Sequence, residues 1–190
     1  MKIGVCAWGS LVWDPRTLRV SACFEPMGPG LSIEFSRISG RDGRRRLTLV
    51  IDEDHGALCR TFVAPSAFSD LGAAIDNLKV REGLYSIDDV GWAVHRSGAV
   101  SERSLSRHPS AVMAFQHFLA NSDFDAMIWT ALPPNFATTL SDGAAFSVPR
   151  ALRFLVEDLS LAERDLSLEY LKRAPAESVT PLRTAFSAIW

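Results

Sequence analysis

What most constrains this chain is the order of its segments. Stretches with the β-branched and apolar character of strands lie at 2–7, 31–37, 46–51, 57–63 and 90–95, and the last third of the 190 residues reads as helix. Gly40-Arg41-Asp42-Gly43 reads as a hairpin turn between the second and third strands. Residues 14–20 fit a short turn or helix, and 67–82 predicts a helix opening near Ser69-Asp70. A helix is predicted over 111–119, and 124–131 is a further apolar strand ending at Pro133-Pro134. Three helix starts follow: Ser147 or Val148 before Pro149, the capping box Ser160-Leu161-Ala162-Glu163, and Thr180-Pro181. The helix after Ser160 offers Leu161, Leu166, Leu168, Tyr170 and Leu171 as its buried side. Strands first and helices last argue for an α+β architecture in one domain, 1–190. The expected form is a small mixed, mostly antiparallel β-barrel (1–144) with flanking helices, carrying a helical C-terminal extension (145–190). That extension would cover a sheet edge, form a dimer face or close over a pocket, with edge covering favoured because exposed edges invite aggregation.

The first strand breaks into Trp8-Gly9-Ser10-Leu11. A turn at the end of a strand can present backbone N–H groups to an anion. Gly9 can take the positive φ that turns successive amides into one concavity, and Ser10 adds a hydroxyl. The competing reading is an ordinary turn.

Some seventy residues on, Leu71, Ala74, Ile75, Leu78 and Val80 approximate helical spacing and Gly83 is a helix stop, which places Glu82 at a helix C-terminus. The macrodipole carries partial negative charge there, so a carboxylate in the last turn is disfavoured and is expected to hold a proton more readily. Alternatively, Glu82 is a solvated residue paired with Arg81 or Lys79.

Together these segments resemble the γ-glutamyl cyclotransferase-like superfamily, most closely its ChaC-like branch. In that branch Y-G-S-L with a following tryptophan forms the substrate loop, and the catalytic glutamate sits in an R-E pair at a helix end. Here the loop is Trp8-Gly9-Ser10-Leu11 with Val12-Trp13, and the pair is Arg81-Glu82. Phe35-Ser36-Arg37, the Gly- and Arg-rich turn, the run Leu47 to Asp52 and the run Gly56 to Val63 resemble the family's intervening segments, so the likeness covers roughly residues 1–95. Two positions depart from it. Trp8 replaces the loop tyrosine and offers only an indole donor, and Gly83-Leu84-Tyr85 stands where the family has G-G-Y.

The resemblance implies a closed or nearly closed barrel with a pocket between the glycine loop and the glutamate. It also implies a reaction, in which the free α-amine of a γ-glutamyl group attacks its own γ-carbonyl to give 5-oxoproline and a released amine or peptide. Nucleophile and electrophile share one molecule, so most of the help lies in holding the near-attack shape. One carboxyl group that accepts and then donates a proton suffices, and Glu82 is the candidate. The amides of Gly9, Ser10 and Leu11 would hold the α-carboxylate or the developing oxyanion. Trp8, Trp13 and Tyr85 flank the pocket segments, and Arg37 is a candidate partner for Glu82 or a substrate carboxylate. No metal or organic cofactor is expected, the partner being a small γ-glutamyl compound bound by a monomer or homodimer.

Other classes are disfavoured by composition. Net charge is −2 with 22% charged residues, which gives no reason to expect nucleic acid or an anionic membrane. No apolar run reaches spanning length, the opening lacks a signal-peptide pattern, and Cys6, Cys23 and Cys59 read as reduced thiols in or near the core, so the expected location is cytoplasmic. His55, His95, His108 and His117 are dispersed without metal-ligand spacing, and Ser10 and Cys6 lack a nucleophile signature. The Arg41 to Arg46 cluster reads as a solvated hairpin rather than a grip on an anion. Two further readings stay open. One is a pocket that binds an amino compound without turning it over; the other is an interaction protein working through its C-terminal helices.

Overall fold

Every residue of β1 (Ile3–Ala7) is buried in the computed structural model, which describes residues 1–40 and 43–188. A strand flanked on both sides and covered on both faces has this pattern. The chain divides into two compact units, Met1–Leu31 with Arg60–Leu132, and Ser32–Cys59 with the chain from Pro133 on.

In the first unit β1, β5 (Phe62–Pro65), β6 (Val90–Val94) and β7 (Ala126–Thr130) form a four-stranded sheet in the order β5-β1-β7-β6. β1 runs parallel to β7 and antiparallel to β5, and β6 is antiparallel to β7. Alternation sends Ile3, Val5, Ala7, Val90, Ala126 and Ile128 to one face, where they join Ala74, Ile75 and Leu78 of α1 (Leu71–Glu82) in one core. The other face carries Trp129, fully buried and stacked on Phe115 of α3 (Pro109–Ala120) with ring centroids 3.8 Å apart. Gly4 lies on that face too, where an added Cβ would collide with Met127. The short α2 (Glu102–Arg107) was not legible beforehand, since its sequence is polar and brief; the Ser101 hydroxyl before it accepts from the Trp92 N–H at 3.3 Å.

The second unit carries a three-stranded sheet, order β3-β2-β4, from β2 (Gly30–Ser39), β3 (Arg46–Ile51) and β4 (Ala57–Arg60). β2 and β3 are antiparallel and their register shifts between Glu34 and Arg37, a bulge that buries residues of both faces. Its helical elements are α4 (Phe136–Thr139), α5 (Val148–Arg153), a π-helical turn (Phe154–Asp158), α6 (Leu161–Arg173) and α7 (Pro181–Ser187). The expected caps form: Ser147 accepts from Arg150 N, the Ser160–Glu163 capping box is complete, and Thr180 accepts from Arg183 N.

The fold is thus α+β with two mostly antiparallel sheets, and the expected closed barrel is not what the strands build. The run read as one strand over 57–63 breaks at Thr61, with β4 joining β2 in one sheet and β5 joining β1 in the other. Thr61 is fully buried, and its hydroxyl donates to Pro29 O at 2.6 Å, a use that interrupts the strand. The helices after residue 144 belong to the same unit as residues 32–59.

The buried side of α6 matches expectation at Leu171, is only half-buried at Leu166, Leu168 and Tyr170, and fails at Leu161. Glu163, Ser167 and Leu171 face inward while Leu161 is 74% exposed. The reason is the outer edge of β3. Glu163 Oε1 accepts from Arg45 N at 2.8 Å and Ser167 Oγ from Leu47 N at 3.2 Å, so one face of α6 satisfies edge amides that the sheet leaves without strand partners. Cys6 and Cys59 are buried free thiols, but Cys23, expected in or near the core, is exposed. Half of the Gly40–Gly43 turn, Arg41 and Asp42, lies outside the described residues.

Candidate functional site

The C-terminus of α1 is built by Gly83. Its φ of 59° is left-handed, and the N–H groups of Gly83 and Leu84 return to Val80 O (3.1 Å) and Lys79 O (2.9 Å), closing a Schellman motif. Leu84 then enters the core that also takes Leu11 from the loop after β1. This shared burial brings the loop to the end of the helix.

The loop itself is a turn of helical type. Val12 N donates to Gly9 O (3.0 Å) and Asp14 N to Ser10 O (2.8 Å). These bonds use the carbonyls of Gly9 and Ser10 as their acceptors. Gly9 does not adopt the expected positive φ; the positive-φ glycines among the described residues are Gly43, Gly83, Gly98 and Gly143. A helical turn aligns its first amides without a left-handed residue, which removes the need for one.

Arg81 joins the two segments. Its side chain is 3% exposed, and Nη1 meets Glu82 Oε1 at 2.6 Å while Nη2 donates to Ser10 Oγ at 3.4 Å and to the Asp14 carbonyl oxygen. Its Nε is buried with no hydrogen-bond partner among the described residues. Glu82, with its side chain 20% exposed, makes the ion pair with Arg81 that the alternative reading named, and it is half-buried rather than fully solvated. Ala74, Ile75, Leu78 and Arg81 are the buried positions of α1, so Arg81 occupies the apolar stripe of its own helix. That placement, three residues after Leu78, is the sequence signal for its role.

The remaining candidates are distributed. Gly9, Trp8 and Leu11 are buried, Trp8 and Leu11 each at 6% exposure, and Ser10 and Trp13 are half-buried. Tyr85 is 92% exposed. Arg37 belongs to the second unit, where Nη1 donates to Pro133 O at 2.6 Å.

Cys6, two residues before Trp8, is pushed up to about 12 by burial, so it stays a thiol and offers no nucleophile. Among the described residues no group of three or more His, Cys, Asp or Glu could hold a metal ion, and no helix is long and apolar enough to cross a membrane. No protein-family model, curated protein or solved structure matches the chain.

Proposed function

We propose that the chain is a γ-glutamyl cyclotransferase-like enzyme, with Glu82 as general acid and base. One observation carries this reading. Through Arg81, the carboxylate at the end of α1 is tied to the hydroxyl of Ser10 and the carbonyl of Asp14, so two segments about seventy residues apart form one constellation. A carboxyl group linked through one guanidinium to the turn after β1 supports this reading, because ring closure needs an acid–base group held near the turn that binds the substrate. In the proposed reaction the α-amine of the glutamyl group attacks the γ-carbonyl and passes its proton to Glu82. The same proton goes to the departing nitrogen as the γ-amide bond breaks, giving 5-oxoproline and an amine with no other reactant. The amides of Gly9, Ser10 and Leu11 face the substrate's α-carboxylate or the oxyanion. Arg81 is a positioning residue that sets the direction of the Glu82 carboxyl.

The experiment is a screen of γ-glutamyl compounds read out as 5-oxoproline. The expected result is release that falls by about 10²-fold or more in Glu82→Gln, the usual size of a lost acid–base group, in protein whose circular dichroism is unchanged. Release untouched by that substitution removes Glu82 from the mechanism.

Trp8 favours a second reading, binding without turnover. A 6%-exposed indole stands where the family has a tyrosine hydroxyl, so a group that both donates and accepts is replaced by one that only donates. Calorimetric binding of glutathione with no 5-oxoproline on prolonged incubation selects this reading.

A further inference from the structure

The second unit contains a cleft of about 310 Å³ lined by Arg45, Thr139, Ser141, Asp142, Arg150 and Asp158, among others. That volume is at the small end of the range for metabolite sites. Asp158 anchors both arginines: its carbonyl oxygen accepts from Arg45 Nη2, and its Oδ2 accepts from Arg150 Nη1 at 2.7 Å. Asp158 holds this place because it ends the π-helical turn Phe154–Asp158, a rare local geometry that recurs at functional sites. Arg150, with its side chain 13% exposed, sends its other arm to Asp142 Oδ2 at 3.1 Å.

Once these bonds are made, a definite set of groups is left over. Arg45 commits its backbone N–H and Nε to Glu163 and its Nη2 to Asp158, and Nη1 bonds no described residue. Asp158 Oδ1 and the hydroxyls of Thr139 and Ser141 likewise make no hydrogen bond among the described residues. The cleft therefore presents one cationic donor, one anionic acceptor and two hydroxyls. Its lining arginines and aspartates are equal in number and Glu163 adds a further negative charge beside Arg45, so a simple anion finds no excess of positive charge, whereas a molecule carrying both charges finds a partner for each.

We infer that this cleft binds a small zwitterionic α-amino acid, its carboxylate on Arg45 and its ammonium on Asp158, with the hydroxyls of Thr139 and Ser141 completing the contacts. The site is independent of Glu82 and of the cyclotransferase reading.

The test titrates the full chain with L-alanine, L-glutamate and L-lysine, and with alaninamide, N-acetylalanine and inorganic phosphate. Calorimetry and the arginine side-chain N–H signals in NMR are the readouts. At least one free amino acid binds with shifts at Arg45 and Arg150, while alaninamide and N-acetylalanine each bind about tenfold or more weakly, as loss of a charged hydrogen bond requires. Asp158→Asn weakens the same amino acid by a similar factor. Because that change also touches the Arg150 pair, Thr139→Val serves as the milder variant and weakens binding with unchanged thermal unfolding. Three outcomes overturn the inference: no free amino acid binding at millimolar concentration, blocked analogues binding as tightly as the free ones, or phosphate shifting the arginine signals while amino acids do not.

Discussion

Arg81 shows how much one side chain can decide. A guanidinium on the apolar stripe of a helix must find partners for its donors, and three of the acceptors it reaches are Glu82 Oε1, Ser10 Oγ and the Asp14 carbonyl. The backbone beside it is as specific. Gly83 is left-handed at φ 59°, a conformation that costs a residue with a Cβ about 1–2 kcal/mol. Gly83→Ala is expected to lower stability by about 1 kcal/mol in urea unfolding and to reduce the proposed 5-oxoproline release, because the Schellman turn sets where the α1 terminus and Leu84 sit. Full stability in that variant would mean that the turn relaxes without strain. The stop at Gly83 was legible in the sequence, since a glycine after an amphipathic run signals its own conformation. The destination of the Arg81 side chain was not, because its partners lie up to 71 residues away.

At the scale of elements, α6 is the informative case. Spacing points to Leu161, Leu166, Leu168, Tyr170 and Leu171 as its buried side; Leu171 is buried, but the helix also turns Glu163 and Ser167 inward because the outer edge of β3 offers N–H groups that the sheet leaves unpaired. Ser167 Oγ also donates to Glu163 O at 3.0 Å, so the hydroxyl is satisfied in both directions. Ser167→Ala leaves the Leu47 N–H buried without an acceptor and is expected to cost about 1–3 kcal/mol by chemical denaturation. A cost near zero would show that α6 holds β3 through apolar contact alone. Capping by Ser160 was readable beforehand, because both halves of a capping box lie within four residues. An edge amide contributed 120 residues earlier leaves no trace in that window.

For the whole molecule, two glutamates of the second unit act on stability in opposite directions with pH. Glu163 is pulled down to about 2 by hydrogen bonds from the backbone of Ser160 and of Arg45 and from the Ser160 hydroxyl. A folded-state value below the unfolded one contributes stability above the ordinary glutamate range, and this is lost as pH falls from about 4.5 toward 2. Glu34 is fully buried and is pushed up by desolvation, against hydrogen bonds from the Thr180 hydroxyl, Phe35 N and Leu182 N. Its raised value contributes stability that is present below the ordinary range and lost as pH rises through the folded value. Urea unfolding over a pH series is expected to show that Glu163→Gln removes part of the acid-side decline. In Glu34→Gln, the deficit relative to the parent chain narrows as pH rises, since only the carboxyl must ionise. A deficit independent of pH would mean that Glu34 does not titrate differently in the folded chain.

What the sequence determined by itself is what short-range physics can settle. The helix starts at Asp70, Ser147, Ser160 and Thr180, the stop at Gly83 and most strand positions depend on residues within about one turn or on alternation along one strand. The tertiary structure alone decided the break at Thr61 that gives two sheets in place of a barrel, the inward face of α6, the clamp of Arg81 on the loop and the cleft around Arg45 and Arg150. The first three turn on a buried polar group whose partner is distant in the chain, and the cleft on Arg45 meeting Asp158 across 113 residues. Burial obliges such a group to be satisfied, but which donor meets which acceptor is settled only when the cores close.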